Sequence, residues 1–211
     1  MNFNEKNVKI ARVGFEYKCI YIMIDGYRLM KAANQYSLDW EEEQFTAQLI
    51  NFIERCPSTK NWKIHIKPEI RIYTEEIISG EKLPKQASQI DMQMLSWQSD
   101  YEEIYHVEAK NLCENDWTKN NGSKVSSSYQ LNRYVNKGVL HLMSGYYPSS
   151  GCMCGYILEG NTEKIIQKLN SILKKKLLNS LKISSPVNNH STIYNIKYDE
   201  NKLVNIFFDL K

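Results

Sequence analysis

Along this chain, stretches in which apolar residues return every three or four positions give way to stretches in which they return every second position. The two rhythms predict helices and strands respectively. The clearest helical run is SLDWEEEQFTAQLINFIERCPS. Ser37 or Asp39 can cap it, Glu41, Glu42 and Glu43 crowd its first turn, and Phe45, Leu49, Phe52 and Ile53 form its apolar stripe, with Pro57 just past its end. NWKIHIKPEIRIYTEE then alternates through Trp62, Ile64 and Ile66 and, after a break at Pro68, through Ile70 and Ile72, which predicts one bent strand or two short ones. In ASQIDMQMLSW, Ile90, Met92 and Met94 share one face and Asp91 and Gln93 the other. A short turn around QSDYEE leads to EIYHVEAKNL, and the two strands are expected to pair as an antiparallel hairpin.

Downstream, VSSSYQLNRYVNKG has a helical rhythm through Val125, Tyr129, Leu131 and Val135, with Gly138 as its stop. VLHLM and CMCGYILEG read as strands on either side of the loop SGYYPSSG. TEKIIQKLNSILKKKLLNSLKI carries a continuous stripe of Ile165, Ile166, Leu169, Ile172, Leu173, Leu177 and Leu181, with its lysines mostly outside it. STIYNIKYDENKLVNIFFDLK reads as a terminal β-hairpin turning near DEN, and residues 8–30 as loosely alternating strands or a hairpin around Asp25-Gly26. There is no internal repeat. One domain over 1–211 is expected, with a core over about 38–159 and a helix-plus-hairpin extension over 160–211.

A hydrophobic fraction of 42% and a charged fraction of 24% exclude disorder over most of the length. No apolar run approaches the ~20 residues that span a bilayer. The opening MNFNEKNVKI lacks the apolar core of a secretory leader, so a cytoplasmic setting without a membrane partner is expected. The five cysteines are odd in number and mostly isolated, and the CMC at 152–154 has no partner pair at zinc-ligand spacing, which favours buried thiols. A net charge of +3 permits a nucleic-acid partner without requiring one.

Candidate chemistry centres on the hairpin. Glu108 and Lys110 lie two apart and therefore project together, and Asp91 stands on the neighbouring strand. Two carboxylates on adjacent strands suit a hard divalent cation, Mg²⁺ or Mn²⁺, and a lysine beside them can position water or stabilise charge on a phosphate oxygen. That combination points to metal-assisted hydrolysis of a phosphodiester. Glu-any-Lys alone is common on strands that face water. The apolar flank IYHV and the interval of 17 residues from Asp91 to Glu108 give it weight here. His106 shares the Glu108 face, where a structural histidine is the simpler reading.

QID followed by VEAK on the next strand, with a Glu-bearing helix before and a polar helix after, resembles the PD-(D/E)xK superfamily of restriction-endonuclease-like nucleases. Asp91, Glu108 and Lys110 match its pattern of acid, then acid-any-Lys, and Ile90 stands where the family has proline. The resemblance implies an α/β fold with a restriction-endonuclease-like core, a central mixed β-sheet flanked by helices, and a C-terminal helix and β-hairpin beyond it. It implies a metal-dependent nuclease, DNA preferred over RNA, comparable to bacterial defence or restriction components. Catalysis would rest on Asp91, Glu108 and Lys110, and the metal on Asp91, Glu108 and Ala109. The family also draws an acid from the preceding helix. Of Glu41, Glu42 and Glu43, Glu42 shares the face of Phe45, Thr46 and Leu49, although acids there also serve the helix dipole. Polar residues on the following helix are matched by Gln130, Arg133 and Tyr134, with Gln130 assigned to the site.

The competing function is a catalytically silent subunit that binds nucleic acid or protein on the same scaffold. KNNGSK with Trp117, and GYYPSSG, have the amides, hydroxyls and aromatics of nucleic-acid contacts. The lysine-rich helix at 162–182 either packs its stripe on the body or docks a homodimer mate or partner subunit.

Overall fold

The computed structural model describes residues 3–98, 101–144, 146, 151–188, 191–198 and 201–211. The expected turns at Ser99-Asp100 and Asp199-Glu200, and most of SGYYPSSG, lie outside these residues. Three parallel strands form the middle of the sheet: β3 (Tyr101–Cys113), β6 (Gly151–Glu159) and β9 (Asn201–Asp209). Strands covered on both faces read as unbroken apolar runs, and β6, CMCGYIL at its centre, is buried throughout. Antiparallel strands extend the sheet on each side: β1 (His65–Ile72) and β2 (Ser88–Gln98) beyond β3, and β8 (Ser191–Tyr198) and β7 (Lys182–Asn188) beyond β9. The result is a seven-stranded mixed sheet in the order β1-β2-β3-β6-β9-β8-β7, flanked by helices, the α/β arrangement expected. β4 (Trp117–Thr118) and β5 (Lys124–Val125) form a separate small hairpin.

One face carries α1 (Phe3–Ala33) and α2 (Glu42–Arg55), which bury Phe15, Cys19, Met23, Phe45, Leu49 and Ile53 against Met92, Val107, Cys154 and Ile206. The short α3 (Pro57–Asn61), opened by Pro57, turns the chain into β1, and α4 (Glu75–Ile78) lies between β1 and β2. The other face carries α5 (Ser127–Arg133), a π-helical turn (Tyr134–Val139), α6 (Leu140–Met143) and α7 (Thr162–Lys175). These bury Leu131, Val135, Val139, Ile165 and Leu169 against Leu112, Met153, Ile157 and Phe207. The C-terminal segment is therefore woven into the sheet: β9 pairs with β6, and its hairpin with β8 forms as expected.

Several expectations are corrected. Residues 8–30 are helix, because Phe15, Cys19, Ile22, Met23, Tyr27 and Met30 fall on one buried face and tertiary packing outweighs the β-branched composition. Gly26 is then a crossing point rather than a turn: a Cβ there would lie 2.5 Å from Ile53 Cγ1 and 3.0 Å from its backbone nitrogen. VLHLM is helical too. The helix runs through Gly138, whose missing Cβ leaves room for the Met153 side chain on β6. α7 ends at Lys175; Leu177 is 95% exposed, and Leu181 is buried separately where Asn170 grips its backbone. Neither Ser37 nor Asp39 caps α2: Ser37 Oγ accepts the Asp39 N–H, Glu41 is the N-cap, and Gln44 Oε1 takes the Glu41 N–H.

Replacing Gly26 with Val should lower stability by about 2 kcal/mol, the scale of overpacking a tight contact. A denaturant midpoint equal to that of the parent would show that α1 does not cross α2 at this residue.

Candidate functional site

The site begins where two paired strands part. β2 and β3 are in register as far as Met92 opposite Val107. In the β1–β2 ribbon, Ile66, Met92 and Met94 join the core under α1 and α2, whereas Ile70, Ile72 and Ile90 join the core under α5 and α7. All six positions are even-numbered, so the ribbon turns over between them, and Ile90 does not share a face with Met92 as the alternation predicted. The turnover falls at Glu69, in the left-handed region at φ 48°, level with Asp91. Beyond that point the ladder gives way, and the Asp91 carboxylate takes the Ala109 N–H at 2.6 Å.

Lys110 lies at the centre of what this fork exposes. Its ammonium stands 2.7 Å from Glu108 Oε1, 3.5 Å from Asp91 Oδ2 and 3.4 Å from Glu42 Oε1, and donates to the Ala109 carbonyl at 2.5 Å. The structure thus gathers Glu42, Asp91, Glu108 and Lys110 from one helix and two strands, with the Ala109 carbonyl among them. Glu42 reaches in from the first turn of α2, and Arg133 forks onto both its oxygens at 2.8 and 3.3 Å. Lys119 fixes that helix end: nearly buried, it donates to the Asp39 and Trp40 carbonyls and to Glu41 Oε1, tying β4–β5 to the start of α2. Glu41 thereby faces away from Lys110, while Glu43 lines the cavity rim.

The cavity holds about 280 Å³ and is lined by the four acids Glu42, Glu43, Asp91 and Glu108, by Ser88 and Gln89, and by Lys110, Arg133, Lys137 and His141. Gln130 does not line it; Gln130 Oε1 is buried without a hydrogen bond to the described residues. Tyr134 points into the core, its hydroxyl donating to Asn205 Oδ1 at 2.8 Å. His106 is buried against Gln93, ring nitrogen to amide nitrogen 3.0 Å, beneath the site rather than in it. Lys137 and His141 were missed from sequence because VNKGVLHLM reads as a helix stop and a strand. The available signal was the repeat of four from Arg133 to Lys137 and from Lys137 to His141.

Burial is the largest influence on Asp91 and, with Glu42 nearby, raises its carboxyl above the usual range against the pull of Lys110 and the Ala109 N–H. Burial alone would lower Lys110, but Asp91, Glu108 and Glu42 more than offset it, so the amine is held above its usual value and stays charged. Burial, then Lys137 and Lys110, push His141 down. All five cysteines are buried free thiols, and burial pushes Cys152 up to about 12, which keeps it protonated at neutral pH.

Glu42, Asp91 and Glu108 carry three negative charges in contact with the two positive charges of Lys110 and Arg133. One unit of negative charge is left over among these oxygen donors. Among the described residues, no three His, Cys, Asp or Glu side chains stand ready around a common metal position, because the ammonium occupies the space between the carboxylates. Comparison with protein-family models, curated proteins and solved structures finds no match to this chain. Among the described residues, no helix is long and apolar enough to cross a membrane.

Burial lowers His106 from 6.5 to about 4, so the folded state holds it neutral. A group depressed in this way contributes stability above its unfolded value that is lost as pH falls from about 6.5 through about 4. His106→Gln should flatten the acid side of the stability profile across this window in thermal unfolding. A parallel profile would assign the acid loss elsewhere.

Proposed function

We propose that this protein is a metal-dependent nuclease of the PD-(D/E)xK type, hydrolysing phosphodiester bonds in DNA. The observation that carries the proposal is the convergence of three carboxylates from three separated segments on one lysine in an open cavity. The succession α2, β1, β2, β3, α5, β6 supports it, with the acids on the antiparallel β2–β3 pair and β6 parallel to β3. Asp91, Glu108 and the Ala109 carbonyl would hold the cation, with Glu42 beside them, once the Lys110 ammonium that meets all four is displaced. When bound, a divalent ion supplies charge stabilisation at the phosphate and an acidified water.

The chain's own residues have separable tasks. Lys110, protonated at neutral pH, is a donor and charge partner and not a base. It can hold a phosphate oxygen or an attacking water within reach of Glu108. Asp91 accepts the Ala109 N–H and so fixes the Glu108–Ala109 peptide. Arg133 orients Glu42 by holding both of its oxygens. The pairing of Glu42, Asp91 and Glu108 with Lys110 and Arg133 also favours a second reading, a silent binding subunit whose polar cluster is structural.

Plasmid, linear DNA and RNA, incubated with Mg²⁺ or Mn²⁺, separate the readings. Asp91→Asn keeps an oxygen for the Ala109 N–H and should leave the fold intact, yet cut cleavage by about a hundredfold or more, as should Glu108→Gln and Lys110→Met. If all four proteins act alike, these residues do not carry the chemistry. If calorimetry of the parent with Mn²⁺ also shows no binding, the silent reading stands.

A further inference from the structure

The cavity has one wall that the carboxylates do not explain. Arg133, Lys137 and His141 line it from a single helix, and Tyr129, one turn earlier, is 63% exposed with the Arg133 guanidinium 5.8 Å from its ring centre. These four residues recur every fourth position. Over eight residues, a helix of 3.6 residues per turn would rotate the last position about 80° away from the first. The π-helical turn over Tyr134–Val139 is wider and takes up that drift, so Arg133 and His141 meet the same cavity. Gly138 permits the wide turn against Met153. Lys137 makes no ion pair or hydrogen bond with the described residues, and an unpaired ammonium beside four carboxylates is placed for an anion brought from outside.

We propose that Tyr129, Arg133, Lys137 and His141 form the track of a single DNA strand leading into the site, Tyr129 stacking an unpaired base and Arg133 and Lys137 holding successive phosphates. The assignment rests on the nuclease reading and adds a substrate class to it: DNA that is single-stranded at the cut. An exposed aromatic interleaved with cations matches how single strands are held, because every base offers a face to stack and every linkage a charge. A base inside a duplex offers no such face. Arg133 already carries one carboxylate, and an arriving phosphate competes with Glu42 for the same fork.

The test is anisotropy of a labelled DNA oligonucleotide, single-stranded or as a duplex, in EDTA so that no cleavage intervenes. The full chain is compared with Tyr129→Ala, Lys137→Ala and, as a surface-charge control on α3, Lys60→Ala. The parent should bind the single strand more tightly than the duplex. Tyr129→Ala should weaken single-strand binding about tenfold and change duplex binding little. Lys137→Ala should weaken it and reduce the slope of log affinity against log salt by about 0.7. Parent-like affinity and slope in both variants overturn the track, and if the parent still cuts DNA the nuclease reading survives. A parent that neither binds nor cuts any nucleic acid takes both down.

Discussion

The arrangement depends on one ammonium. Lys110 sits among Glu42, Asp91 and Glu108, and without it three carboxylates would be held together in a half-buried cavity, where like charges raise one another's pKa and burial penalises each. Such a group is a poor way to stabilise a fold, since taking ions out of water commonly costs about as much as their attraction returns. Its position in the middle of the sheet places three carboxylates on the wall of a cavity of about 280 Å³. Burial raises the Asp91 carboxyl there against the pull of Lys110.

The surrounding fold keeps these groups from collapsing onto one another or drifting apart. Three devices do this, and each is local. The β1–β2 ribbon turns over at Glu69 and Asp91, which ends the β2–β3 ladder and leaves the Ala109 N–H for a side chain. Lys119 pins the start of α2 through two carbonyls and Glu41, which sets the reach of Glu42. Gly138 lets the helix after β3 lie close on β6 and widen by one residue, bringing Lys137 and His141 to the cavity. Each depends on residues far apart in the chain. The acidic and basic walls face each other because the sheet, with β6 at its centre, carries both.

Glu42 and Arg133 link the two walls. Their fork joins the helix that precedes the sheet to the helix that follows β3, and Lys110 meets the same Glu42 oxygen from β3.

The sequence by itself determined the chemistry on offer and much of the frame. Alternation in ASQIDMQMLSW and EIYHVEAKNL placed Asp91, Glu108 and Lys110 on neighbouring strands, and the stripe of α2 turned Glu42 toward the sheet, because strand and helix periods are local properties of the backbone. The tertiary structure decided what such periods cannot carry. A β-branched, aromatic segment became α1 because a second helix and a sheet were there to cover it. A glycine read as a stop became a close contact for the same reason, and the strand read at 139–143 became the helix that lines the cavity. The pinning by Lys119 joins residues 78 to 80 positions apart, the reversal at Glu69 is matched to Asp91 on the next strand, and no short-range pattern in the chain records either contact.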